Sequence, residues 1–227
     1  MKRKIKKICA VFVIIVLLPY IITIFMNGKS IEANQDGKNG YIKVKTESGT
    51  KEVPLKEYCI GTLAKEISVD FEEEALKAQA VIVRTTIYKK IEEQGEKAVM
   101  TERFFTKSDM KNQWGRSAFQ KNYKKLERVW NETDGQVVMY NGQLAMVPFH
   151  QLSNGKTRIG KEVLGTDEYP YLQMKECPKD VEADGQMESK LIKAAGAQIT
   201  SQDSAGYVTG VKVGEETLNG ETFRDTY

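Results

Sequence analysis

The chain has 227 residues, 41% hydrophobic and 29% charged, with a formal net charge of +3. That balance fits one domain with a real core plus appendages, and excludes a disordered chain. Much of the surplus charge lies in the first seven residues, MKRKIKK, so the body is nearly neutral, unlike a dedicated nucleic-acid binder. The three cysteines, Cys9, Cys59 and Cys177, form no CxxC pair. A Cys59–Cys177 disulfide stays open on an outward-facing protein although nothing in the spacing supports it, and Cys59 alone reads as a small core residue.

Residues 8–26, ICAVFVIIVLLPYIITIFM, are uncharged and almost wholly apolar, long enough to cross a membrane as one helix. The basic run before them predicts a cytoplasmic tail at 1–7 and an outward-facing remainder. A cleaved signal peptide would have a shorter apolar core and a small-residue cleavage site, and no A-x-A follows Met26, so the segment reads as an uncleaved anchor. Residues 27–40 are polar and glycine-rich, a linker. YIKVKT at 41–46 alternates as a strand does.

Val53–Tyr88 reads as two helices joined at Ser68–Val69–Asp70. Leu55, Cys59, Leu63 and Ile67 share one face of the first, with Glu66 at its edge. Asp70 has the features of an N-cap, with Glu73 completing a capping box. In the second helix Leu76, Ala80 and Arg84 fall on one line, and Gly95 suits its end. Glu66 and Arg84 thus both lie on inward lines, where charge is costly unless paired. Two explanations stand side by side: a structural ion pair between the helices, or a catalytic pair.

Between 96 and 131 aromatics sit among lysines and glutamines, either filling a core around a helix at 122–131 or stacking on sugars. Strands are expected at 135–140 and 144–149 around the turn Asn141–Gly142. HQLSNGKT at 150–157 is a polar loop of the kind that displays site residues. An extended YPYL segment enters a strand at 172–176. A short helix is expected at 188–195 and a strand at 207–213.

VPLKEYCIGTLAKEI followed by FEEEALKAQAVIVRTTIY resembles the signature of the SpoIID/LytB family, named for stage II sporulation protein D. The resemblance continues through DGQVVMYNGQ, FHQLSNGKT and YPYL, spanning roughly residues 40–227. LNGETFRDTY, where the chain stops, resembles the start of a further family segment, so the expected domain at 41–227 is read as incomplete at its C-terminus. The expected architecture is α+β: an N-terminal transmembrane helix, then one mixed extracytoplasmic domain whose two-helix catalytic hairpin packs on short antiparallel strands.

The resemblance implies lytic transglycosylation of peptidoglycan, with Glu66 matching the family's catalytic glutamate and Arg84 an arginine of the same site. One glutamate suffices for that reaction. It protonates the leaving oxygen, then takes the proton of the muramic acid C6 hydroxyl, which attacks the anomeric carbon. Arg84 and Lys156 would hold substrate oxygens or developing charge. His150, Ser153 and Gln79 complete the expected substrate-binding set. Some relatives hold zinc near this loop through histidines and cysteines. Here the loop offers His150, the only histidine, and no cysteine, so neither metal nor cofactor is expected.

The resemblance further implies spore engulfment as the setting, glycan strands without stem peptides as substrate, and a SpoIIP-like amidase and a SpoIIM-like membrane protein as partners at the cytoplasmic membrane. Two other readings compete: a non-catalytic, LytB-like modifier of an N-acetylmuramoyl-L-alanine amidase, and a tethered structural protein.

Overall fold

The computed structural model describes residues 40–47, 49–95, 98–183, 191–193 and 196–227. The expected tail, anchor and linker lie outside these residues, as does most of the helix expected at 188–195. Among the described residues no helix is long and apolar enough to cross a membrane. The chain forms two compact units, which meet in sequence at Val147 and Pro148.

The first unit begins with strand β1, Tyr41–Thr46, as its alternation predicts. Ile42 and Val44 face the core and the lysines face water. Strand β2, Gly49–Pro54, returns antiparallel with Tyr41 opposite Pro54. Its sequence, GTKEVP, lacks alternation because no face of it is buried, and its last residues, Val53 and Pro54, fall in the stretch expected to be helical. Strand β3, Val99–Met100, pairs parallel to the other edge of β1, giving the order β2-β1-β3. The sheet is therefore mixed, not purely antiparallel, and the two helices between β2 and β3 supply the crossover that parallel pairing needs.

Those helices are α1, Leu55–Glu66, and α2, Glu73–Gln94. The expected face of α1 is buried at Leu55, Cys59 and Leu63, and burial extends around the helix through Tyr58, Ile60 and Ala64. Gly61 explains how α1 can be enclosed: its carbonyl accepts a hydrogen bond from the Phe105 amide at 3.1 Å. A Cβ there would collide with the Phe105 carbonyl and the Phe104 ring. Asp70 does not cap α2. The helix begins at Glu73 after Glu72, with no side-chain cap, and Asp70 bonds Ser68 within the turn. Leu76, Ala80 and Arg84 are all buried, as their line requires, and Gly95 ends the helix at φ 60°.

Helix α3, Lys107–Glu132, is much longer than the helix expected at 122–131. Thr106 and Asp109 form a capping box at its start, and Gly115 interrupts it at φ 76°. Leu126, Val129 and Trp130 are buried, while Phe104, Phe105, Trp114, Phe119 and Tyr123 pack partly buried against the same core. This supports the core-filling reading of the aromatics. The Asn141–Gly142 turn has left-handed φ at both positions, but its strands are only β4, Met139–Tyr140, and β5, Gln143–Leu144. Pairing stops early because side chains of α2 take the neighbouring backbone. The Val138 amide donates to Thr85 Oγ1, and the Gln136 carbonyl accepts from Arg84.

The second unit holds short helices α4, Gly160–Leu164, and α5, Pro178–Val181. Strands β6, Gln198–Gln202, β7, Val208–Val213, and β8, Glu216–Asn219, form an antiparallel sheet in that order. Helix α6, Gly220–Thr226, follows. Only β7 is legible in advance. The strand expected at 172–176 is not formed. That segment meets 155–157 through one bridge, Lys156 with Glu176, and through bonds from the Thr157 and Cys177 amides. Cys59 and Cys177 are both free thiols.

Candidate active site

Glu66 is the last residue of α1, and Gln79 lies two turns into α2. The turn between the helices brings them face to face, and Gln79 Nε2 donates to Glu66 Oε2 at 2.7 Å. Gln79 is buried, with 3% of its surface exposed, whereas Glu66 is half-buried. A buried amide behind a partly open carboxylate holds it in one orientation while leaving it access to the surface.

Burial raises the proton affinity of Glu66 above the ordinary carboxylate range. The Gln79 hydrogen bond and the nearby Lys65 charge pull the other way and do not cancel it. The group is therefore suited to carry a proton at higher pH than a solvated glutamate, as a general acid must. Gln79 is thus placed as a positioning group for Glu66 rather than as a ligand for substrate.

The sign of the Gln79 effect gives a prediction. Its amide stabilises the charged carboxylate, so Gln79→Met, which keeps the volume and removes the donor, is expected to raise the Glu66 pKa further. The alkaline limb of the pH–rate profile should move to higher pH. A limb that stays in place would show that Gln79 does not act on the group that titrates.

Arg84 does not share this site. It is 1% exposed, and its guanidinium reaches the end of α3. Nη1 donates to the Thr133 carbonyl at 2.7 Å and the Gln136 carbonyl at 3.2 Å, and Nη2 donates to the Trp130 carbonyl at 2.9 Å. The guanidinium also lies 4.0 Å over the Trp130 ring. The charges acting on it are those of Tyr88, Cys59 and Asp134, and burial lowers its proton affinity. This corrects both roles read from the sequence. A side chain with so little open surface cannot hold substrate oxygens, and its Nη donors go to the carbonyls of Trp130, Thr133 and Gln136 and to the Thr133 hydroxyl rather than to Glu66. Cys59, on the same buried side, has its thiol pushed up to about 12 by burial and is chemically inert.

The other expected residues, Ser153, Lys156 and His150, belong to the second unit. Ser153 is buried, and its hydroxyl donates to Asp180 Oδ2 at 2.7 Å while accepting from the Gly155 amide at 3.2 Å. Its hydrogen-bonding capacity goes into folding the loop, which corrects its substrate-binding assignment. Tyr207 pins the same loop, accepting from the Asn154 amide and donating to the Lys156 carbonyl. Lys156 Nζ pairs with Glu176 at 3.3 Å, both side chains substantially open to water. His150 is exposed and lines a cavity of about 320 Å³ with Phe149, Arg158, Leu172 and Gln173. Among the described residues no three His, Cys, Asp or Glu side chains group as a metal site.

Comparison with known proteins places these units. The family described as Stage II sporulation protein, SpoIID, matches residues 43–140, entirely within the first unit. Stage II sporulation protein D of Bacillus subtilis (strain 168) is 29% identical over 192 residues, covering 76% of this chain and 55% of that protein. The protein of the same name from Bacillus amyloliquefaciens gives the same identity and coverage. The chain spans about half the length of the curated relatives it matches. The matched region contains the α1–α2 hairpin, with Glu66 and Gln79 opposed across it, so this hairpin lies in the part of the chain that is similar to the SpoIID family.

Proposed function

We propose that this protein is a peptidoglycan lytic transglycosylase in which Glu66 acts first as acid and then as base. The similarity of residues 43–140 to the SpoIID family, and of the chain to stage II sporulation protein D, supports a role at the cell wall in sporulation. The observation that carries the finer reading is the half-buried Glu66 carboxyl, its proton affinity raised by burial and its orientation held by Gln79 at 2.7 Å.

Protonated Glu66 donates its proton to the glycosidic oxygen as the bond to the anomeric carbon breaks, and the charge left on the sugar is oxocarbenium-like. The Glu66 carboxylate then removes the proton of the C6 hydroxyl of the same N-acetylmuramic acid. That oxygen bonds to the anomeric carbon and closes a 1,6-anhydro ring. The proton returns to Glu66, so the enzyme ends as it began, and neither a water nor a second carboxylate is consumed. Lys156 and His150 are proposed as glycan contacts within the second unit. The wider setting proposed is engulfment, with residues 8–26 anchoring the protein in the cytoplasmic membrane and an amidase and a polytopic membrane protein as partners.

The test is direct. Purified protein is incubated with glycan strands lacking stem peptides, and the products are read by mass spectrometry. Strands ending in 1,6-anhydro-muramic acid are expected. Reducing ends instead would mean hydrolysis by a water molecule. Uncut strands, together with stimulation of an added amidase, would replace the enzyme with a modifier of that amidase.

A further inference from the structure

The turn that follows Glu66 carries an aromatic ring that the core does not use. Phe71 is 54% exposed, although Val69, two residues before it, is buried. Single exposed aromatics are common and by themselves mean little. Phe71 differs in how its backbone is held. Its amide donates to the Ser68 carbonyl at 3.2 Å. From α3, Lys125 Nζ donates to the Val69 carbonyl at 2.7 Å and to the Phe71 carbonyl at 2.9 Å. The Ser68 hydroxyl and Asp70 bond each other within the same turn. The backbone is thus fixed from within the turn and from α3, while the ring stands in water.

A fixed backbone beneath an open ring loses little entropy when a ligand lands on the ring. Phe71 follows Glu66 by five residues, so even a fully extended chain would separate them by at most ~18 Å, and the turn shortens this. That is within the reach of a few sugar units along a strand. A pyranose chair with equatorial substituents presents a face of C–H groups, apolar and slightly positive, that matches the negative face of an aromatic ring.

We propose that Phe71 is a sugar-stacking residue: it packs on the face of a pyranose in the glycan strand whose scissile bond lies at Glu66. This rests on the glycan-cleaving reading above. The contact binds substrate and has no part in proton transfer.

The test uses the inactive Glu66→Gln protein, so that binding is read without cleavage. Affinity for stem-peptide-free glycan strands is measured with and without Phe71→Ala, and with Phe71→Tyr as the conservative change. Phe71→Ala should weaken binding about three- to tenfold and Phe71→Tyr should restore it, with melting temperatures unchanged. In the active protein the same change should raise KM and leave kcat nearly intact. Unaltered affinity in Phe71→Ala overturns the proposal, as does a loss that Tyr fails to restore or that follows a fall in melting temperature. If strands do not bind Glu66→Gln at all and the wild-type protein forms no anhydro ends, the glycan-cleaving reading falls with it. If the wild type binds and cleaves, only the stacking role is at stake.

Discussion

Glu66→Gln is expected to fold, to bind glycan strands and to release almost no 1,6-anhydro ends. The amide keeps the size of the carboxyl and can still accept from Gln79, but it cannot give or take a proton. General acid–base catalysis typically contributes about 10²–10⁴-fold. In the proposed reaction Glu66 serves both steps, so turnover should fall by at least that range. Stability should hold or rise, with a pH signature whose sign is fixed. Burial raises the folded-state proton affinity of Glu66. The wild-type side chain therefore costs nothing at low pH, where it is protonated in both states. The cost grows as pH rises from the ordinary carboxylate range through the folded-state value. The melting temperature of Glu66→Gln should match the wild type in acid and exceed it progressively toward neutral pH. Nor does the substitution strand Arg84, whose Nη groups are held by carbonyls at and just beyond the end of α3. A destabilised Glu66→Gln with activity in proportion to its folded fraction would sink the catalytic reading.

The hairpin that carries Glu66 was legible because its signals are local. Leu55, Cys59 and Leu63 repeat at helical spacing, Leu76, Ala80 and Arg84 form one line, and all of these are buried in the fold. What each inward polar group meets was not legible. The partners of Arg84 are carbonyls 46 to 52 residues away, and a carbonyl has no letter of its own in a sequence. Gln79 could be placed in the site but not given its task, because that depends on which residue the turn sets opposite it. Strand β6 was missed for another reason. QITSQ is exposed at every position and is held by pairing with β7 rather than by burial, so it carries no periodicity to read. Ser153 shows the reverse error. A serine in a polar, glycine-containing loop invites a role toward substrate, yet its hydroxyl is used by Asp180, which follows it by 27 residues.

Arg84→Met is expected to destabilise the first unit by about 3–5 kcal/mol in urea unfolding, with little effect on the activity of molecules that remain folded. The last carbonyls of a helix have no partner within it, and the negative end of the helix dipole gathers there. At the end of α3 the guanidinium answers both needs, bonding the Trp130 and Thr133 carbonyls and also the Gln136 carbonyl just beyond. A methionine fills part of the space but makes none of these bonds. Each buried acceptor left without its donor costs about 1–3 kcal/mol, and partial rescue by water keeps the sum below the simple total. Arg84→Lys should recover only part of the loss, because one ammonium on a flexible stem cannot span carbonyls that a planar fork reaches together. The two roles for Arg84 separate cleanly. A structural arginine gives low melting temperatures and normal turnover per folded molecule, measured well below the transition. Full stability with lost turnover would instead put the guanidinium on the substrate and overturn its placement at the end of α3.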